Sequence, residues 1–350
     1  MTDSRPKLTK DPRSRFLMTA LTLGVAAGGA AVLGGCKSGG GTTPEKSEAV
    51  VKKPASADGL AYVQSAEQAV REGDLDQALV EFQKAIEVNP TLTSAHMGMA
   101  DIYRMRGDYG RAEEKYARSA QLEPRNFDAQ YYHGLMLHLL DRLTDAVQAY
   151  LKALSLRPND FKANLNLATA YYQLDENEQA LPYAKKAVEL NPEDGAARFN
   201  LGAIYAAMDR HTDAVREYQQ AAELMELNSS LLLNLAESLG RLERYDEMVN
   251  ALTQSIKTDP TAAAWERLGF AKFRMGKFDE AKDAFESALK LDPDYYPALN
   301  GLGVCRLNDW IRSGRNDTKA KEAGLSALRR SLQVHRDQPQ ILELVTRYGR

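Results

Sequence analysis

Residues 265–293 read WERLGFAKFRMGKFDEAKDAFESALKLDP, and their spacing decides the fold. Trp265, Leu268 and Gly269 fall on one face of a helix. Gly269 has no Cβ, so a second helix can approach closely there. Ala281 and Ala288 are the small residues of that second helix, and Phe285 between them fills the space between the two. Pro293 cannot continue a helix, so it stops one unit and starts the next. The pattern recurs along the chain. Pro90, Pro124, Pro158 and Pro192 stand 34 residues apart, Pro260 follows two periods later, and Pro293 comes 33 residues after that. Ala78, Ala112, Ala146, Ala180 and Ala214 keep the same step, and Ala281 continues it. Asn89, Asn159, Asn191 and Asp292 beside the prolines supply turn and capping chemistry. A fixed period of this size marks an array of repeated helical units.

On these residues the chain resembles the tetratricopeptide repeat (TPR) family. The family pattern W-x2-L-G-x2-Y…A-x3-F…P is met across 265–293, with Lys272 where tyrosine is usual. Earlier frames are 59–92, 93–126, 127–160, 161–194, 195–228 and 229–261. Glu226 replaces the proline of the fifth unit. Met248 replaces the alanine of the sixth, which predicts looser packing of its two helices. Pro182 sits inside the second helix of the fourth, which predicts a local kink. From Tyr296 an eighth unit is stretched: Leu302 and Gly303 keep the pattern, and a second helix is predicted over 318–334 after an insertion around 313–317. The expected architecture is an all-α TPR solenoid, a superhelix of antiparallel helix pairs. Seven units would cover 59–295, with an atypical eighth unit and C-terminal cap over 296–350. Composition agrees: the 350 residues are 44% hydrophobic and 27% charged, with no strand-like alternation. Stacked repeats share one continuous core, which overrides the two or three domains that length alone suggests.

The N-terminus carries a second signal. Arg5, Lys7, Lys10, Arg13 and Arg15 precede an apolar, small-residue stretch from Phe16 to Leu33 that ends in Leu33-Gly34-Gly35-Cys36. That order is a secretory signal peptide over 1–35. Its last four residues resemble a bacterial lipobox, which implies cleavage before Cys36 and attachment of lipid to it. Lys37 rather than aspartate follows, which by the same resemblance implies the outer membrane of a two-membrane cell. The competing reading is an uncleaved membrane helix. At 18 residues the stretch is near the lower limit for a span, and the glycines and alanines between Gly24 and Ala30 weaken it further. Residues 36–58 are rich in Gly, Ser, Thr, Pro and Lys, the composition of a flexible tether reaching on the order of 25 Å.

With 45 basic and 48 acidic residues, the balance gives no reason to expect nucleic acid as a partner. Charge is uneven, however. Residues 306–350 hold ten basic and five acidic side chains, a basic end that could touch an anionic surface or serve only as ordinary solvated helix termini. No catalytic, metal or cofactor motif is present: neither H-E-x-x-H, G-x-S-x-G, a P-loop nor a cysteine pair. His133 and His138 are five apart and do not share a helix face, so each reads as packing or surface. Cys305 reads as an inert buried thiol.

The TPR resemblance implies a concave groove lined by the first helix of each unit. Its sixth position is Asn166, Asn200 and Asn234 in three successive units. A side-chain amide donates and accepts at once, as a peptide backbone does. This resembles the asparagine ladder that holds extended peptides in the TPR superhelix of O-linked N-acetylglucosamine transferase; satisfying local backbone would explain the same residues equally well. Around the ladder the groove positions are Tyr131, Tyr132, Leu135, Leu165, Tyr172, Phe199, Leu233, Phe270 and Phe273, expected to be exposed and to bind. The carboxylate clamp of chaperone-tail TPR proteins is absent. The expectation is therefore a membrane-anchored, non-catalytic adaptor facing the periplasm, with an unidentified protein or peptide in its groove. The alternative is a structural part of an envelope or secretion assembly, using its convex face or ends.

Overall fold

A computed structural model describes residues 57–349. The leader, Cys36 and most of the tether lie outside them. Among the described residues there are seventeen helices and no strands, and no helix is long and apolar enough to cross a membrane. Contacts divide the chain into two units, one ending at Asn191 and one beginning at Pro192.

The first unit holds four helix pairs: α1 (Ala57–Glu72) with α2 (Leu75–Val88), α3 (Thr93–Met105) with α4 (Tyr109–Leu122), α5 (Phe127–Leu139) with α6 (Leu143–Leu156), and α7 (Phe161–Gln173) with α8 (Asn177–Leu190). Each pair is closed by the same backbone turn. Asp74 N donates to Ala69 O, Asp108 N to Tyr103 O, Arg142 N to Leu137 O and Glu176 N to Tyr171 O, all at 2.9 Å. This Schellman closure needs a left-handed residue just before the donor. Gly73 and Gly107 supply it at φ 82° and 74°, whereas Asp141 and Asp175 adopt it with side chains at 59° and 64°. Inside the pairs, small residues let large ones in. Ala78, Ala112, Ala146 and Ala180 are fully buried, as are Tyr116 and Tyr150. A Cβ on Gly134 would come within 2.9 Å of the Tyr150 ring, so the glycine is what admits the tyrosine. Each such buried large side chain contributes roughly 1.5–3 kcal/mol. Helix α8 runs on through Pro182, which is exposed.

The second unit continues with α9 (Gly195–Ala207) and α10 (His211–Leu224), α11 (Ser229–Arg241) and α12 (Tyr245–Thr258), α13 (Ala262–Arg274) and α14 (Phe278–Leu291), then α15 (Tyr296–Arg312), α16 (Thr318–Val334) and a last helix, α17 (Pro339–Tyr348), packed on α16. The same turn closes all four pairs, from Arg210 N to Tyr205 O through Arg315 N to Trp310 O. Gly269 meets Phe285 as its spacing predicts: a Cβ there would lie 2.7 Å from the ring. Met248 is buried, with its sulfur against Gly240, so the larger side chain is given its room by a glycine on the facing helix. Glu226 needs no proline beside it. Helix α10 ends at Leu224, Met225 is extended, and the Asn228 side chain caps α11 by accepting from Leu231 N at 2.9 Å. Capping at helix starts falls on Asp74, Asp108, Asn126, Asp160, Asp194, Asn228, Thr261 and Asp317 rather than on Asn89, Asn159, Asn191 and Asp292. Asn89 and Asp292 instead hold turns, accepting from Thr91 N and Asp294 N. Cys305 is fully buried between α15 and its neighbours, and burial pushes its thiol up to about 12.

Candidate functional site

First helices meet first helices: α1 and α3, and α5 and α7, in the first unit; α9 and α11, and α13 and α15, in the second. In each unit these helices therefore share one face, and the groove positions lie along it.

In the first unit part of that face is filled from within. Tyr131 is buried among Phe127, Tyr132 and Tyr150, with ring centroids 5.9, 5.1 and 6.0 Å away. Its hydroxyl accepts a 3.0 Å hydrogen bond from the amide of Asn166, one repeat later. Asn166 is itself buried, and Leu165 beside it also. Tyr132 is half-buried under the Arg104 guanidinium, 5.2 Å from its ring centre. Arg104 in turn pairs with Asp101 and donates to the Tyr116 hydroxyl, which donates to Asp101 at 2.6 Å. His138 is buried and shares a 2.9 Å hydrogen bond with Gln173 of the next repeat; burial holds its imidazole below the ordinary range. Leu135 and Tyr172 are half-buried. Phe199, in the second unit, is buried against Tyr218 at 5.7 Å, and Asn200 beside it is buried too.

These placements correct the expectation of an exposed lining at Tyr131, Leu165 and Phe199. At Tyr131 and Phe199 the fifth position of the repeat turns toward the packed interior, where the ring meets a tyrosine on the second helix of its own pair. They also answer for Asn166, whose amide is satisfied by a tyrosine of this chain.

The second unit differs. Leu233 and Asn234 on α11 are half-buried, and the Asn234 amide has no partner among the described residues. On α13, Phe270 is 39% exposed, beside Tyr245 with centroids 6.5 Å apart, and Arg274 sits 5.0 Å over the Tyr245 ring and 5.8 Å from the Phe270 ring. Phe273 is half-buried, edge-on to Phe278. Four residues before Phe270, on the same helix face, is Glu266. Water reaches it, yet protein crowds it enough to lift its carboxyl to about 7 by loss of hydration, with Arg267 the one opposing charge. Arg267 is spent elsewhere, on Leu233 O at 3.4 Å and on Glu237 at 3.1 Å. Glu266 was missed in the sequence because nothing in its spacing distinguishes it from a solvated carboxylate. The basic end is also engaged internally: Arg312 lies over Phe278, Arg315 over Trp310, and Arg330 pairs with Asp294 at 2.9 Å.

Family profiles described as tetratricopeptide repeat match residues 64–122, 165–227, 229–261 and 262–295, and one described as TPR repeat matches 134–175. The chain is built of tetratricopeptide repeats. Among solved structures, a tetratricopeptide repeat protein from Parabacteroides merdae is similar over 74% of this TPR chain and 99% of its own, at 20% identity and TM-score 0.50. A chain of the APC/C hetero-tetramer Cut9–Hcn1 is similar over 83% of this chain and 55% of its own, at 16% identity and TM-score 0.50. PilF of Pseudomonas aeruginosa is similar over 58% and 92%, at 23% identity and TM-score 0.48. These likenesses concern the fold. Comparison with curated protein sequences gives no match. As a TPR array the chain is a protein-interaction repeat scaffold.

Proposed function

We propose that this scaffold is a non-catalytic adaptor, held at a membrane by lipid on Cys36, that docks an extended peptide of a partner protein on the shared face of its first helices. One observation carries the docking half: on α13 the groove position Phe270 is 39% exposed and on α11 the amide of half-buried Asn234 is unpaired among the described residues, while in the first unit Tyr131, Leu165 and Asn166 are buried. Apolar surface of this kind supplies affinity, and a free amide fixes the register of a peptide backbone. The lipid half rests on the leader that ends at Leu33-Gly34-Gly35-Cys36. It makes the protein exported and periplasm-facing, at the outer membrane where the cell has one.

The docking test is a partner captured by crosslinking in the intact cell, then titrated against Asn234→Ala and Phe270→Ala. Each substitution should weaken binding by about tenfold, as loss of one desolvated contact does. Wild-type binding by both folded variants would move the interface off this face, and loss on charge reversal at Arg312, Arg315 and Arg330 would place it at the basic end. For the lipid half, the intact mass of membrane-extracted protein should show an acylated chain starting at Cys36, and Cys36→Ser should keep the leader. A mature chain beginning elsewhere would remove the anchor.

A further inference from the structure

The turns between repeats are fastened by one recurring bond. The fourth residue of a unit donates to the carbonyl of the repeat proline six residues before it: His96 to Pro90, Gln130 to Pro124, Asn164 to Pro158 and Arg198 to Pro192, at 3.1, 3.4, 3.0 and 2.8 Å. Later units carry Leu232, Trp265 and Leu299 there. Of the four donors, only His96 changes charge near neutral pH. A carbonyl only accepts, so Nε2 of His96 carries the hydrogen and Nδ1 is left with its lone pair. That Nδ1 is buried without a hydrogen-bond partner among the described residues, and His96 is 5% exposed. Thr93 Oγ1, three residues earlier on the same helix face, is buried and unpartnered as well, so no bond joins the two. Facing the ring, α4 brings Lys115 and Arg118, which oppose a positive charge, and Glu114, which favours one more weakly. The other helices packed on α3, α1 and α2, hold none of the charges that act on the ring most strongly. The remaining histidines of the first unit hold side chains rather than a turn, Glu113 for His133 and Gln173 for His138.

We propose that His96 is an acid-released latch on the turn between α2 and α3. Protonation puts a full charge and a second N–H where the ring finds neither water nor an acceptor. The chain escapes that cost by opening: freed from the Pro90 carbonyl, the ring reaches water and keeps its proton. Release frees the turn in which Leu92 N is held on Asn89 O, and the first amides of α3 on Leu92 O, so α3 loosens on α2. Helix α3 also carries Asp101 and Arg104 of the polar cluster on the shared face, and acid would unsettle that stretch of the face from its turn. Burial, more than any charge, holds His96 below its ordinary 6.5, so the open form binds the proton more tightly. The open population is therefore smallest above about pH 6.5. It grows about tenfold for each pH unit below that, until the closed form takes the proton too.

The test compares the intact protein with His96→Gln by hydrogen exchange, read as protection factors corrected for the pH dependence of intrinsic exchange. Gln130 holds the same carbonyl with an amide one repeat later, so the substitution keeps the latch and removes the titration. Between about pH 6.5 and 5, wild-type amides of residues 89–105 should lose about tenfold more protection than those of His96→Gln, while the two proteins agree above neutral pH. His133 and His138 are common to both and cancel in the comparison. Equal loss in the two proteins, or none in either, overturns the latch. The imidazole itself gives a second measurement, by nuclear magnetic resonance of the folded wild type. A titration below its ordinary range with the neutral ring's hydrogen on Nε2 supports the latch. A titration at or above that range, or a hydrogen on Nδ1, overturns it. Where His96→Gln already lacks protection at neutral pH, this second measurement decides alone.

Discussion

The two units are built from the same repeat, yet α5 and α7 of the first treat the shared face of the first helices differently from α11 and α13 of the second. In the first, polar groups find one another, across repeats for Asn166 with Tyr131 and Gln173 with His138, and within one repeat for Arg104 with Asp101 and Tyr116. On α11 and α13 of the second, Asn234 and Glu266 make no hydrogen bond among the described residues and Phe270 is 39% exposed. A groove position is therefore an address, and the neighbours one repeat away decide whether it becomes core or surface. Hydrogen bonds made inside the first face contribute about 0.5–1.5 kcal/mol each and fix it rigidly. The same residue types left unpaired in the second keep their bonding capacity for something else.

The largest break in this comparison comes from Tyr131→Ala. It removes a buried ring packed on three others and strands the Asn166 amide, so the first unit should lose about 3–5 kcal/mol. Hydrogen exchange should show protection falling in α5 to α7. Phe270→Ala, the exposed counterpart, should change stability by less than about 0.5 kcal/mol. Equal losses would mean the two faces are not different. Next in size is the amide pair. Asn166→Ala leaves the Tyr131 hydroxyl unsatisfied and should cost about 1–3 kcal/mol, whereas Asn234→Ala should cost nothing measurable.

Titration separates the units further. His96, His133 and His138 are held below their ordinary 6.5, first by burial. The unfolded chain then binds the more protons, so their share of stability is lost as pH falls below about 6.5. Glu266 is raised from 4.5 to about 7. The folded state holds that proton more firmly, so its share is present below about 4.5 and lost as pH rises through about 7. Exchange protection in the first unit should therefore weaken on acidification, and around α13 on going alkaline. His211 is lowered too and gives the second unit some acid response, which leaves the alkaline loss as the discriminating signal. Glu266→Gln should abolish that loss and stabilise the protein above neutral pH by on the order of 1–2 kcal/mol, allowing for partial solvent screening. An unchanged alkaline limb would mean Glu266 is hydrated like any surface acid. The smallest effect is a control. Asp141→Gly and Asp209→Gly each relieve a left-handed residue, one per unit, at φ 59° and 57°. Both should shift unfolding upward by a few tenths to about 1 kcal/mol, and equally, because the turn is the one element the units share unaltered.

The fold was legible because its determinants are local. The 34-residue step, the glycine under Phe285 and the helix pairs are all set within one repeat. Capping was read one to three residues off, Asn159 for Asp160 and Asn191 for Asp194, because the prolines mark where a helix stops, whereas the cap is the polar residue from which the next one starts. The candidate site was legible only as a set of positions. Asn166 and Tyr131 are 35 residues apart, and the sequence offers no sign that one consumes the other. The fifth position looked like lining because side-chain direction depends on how closely the second helix approaches. Glu266 could not be found at all, because its state is set by helices that pack on α13 and by an arginine committed to Glu237.

Cys305 gives the array a clock. It is the one cysteine among the described residues, and its sulfur sits where no reagent can reach without parting α15 from its neighbours. Alkylation in the native state therefore counts openings of that end of the chain, one irreversible event at a time. Its rate, compared with and without a bound peptide, would report whether occupancy on α11 and α13 is felt two helices away.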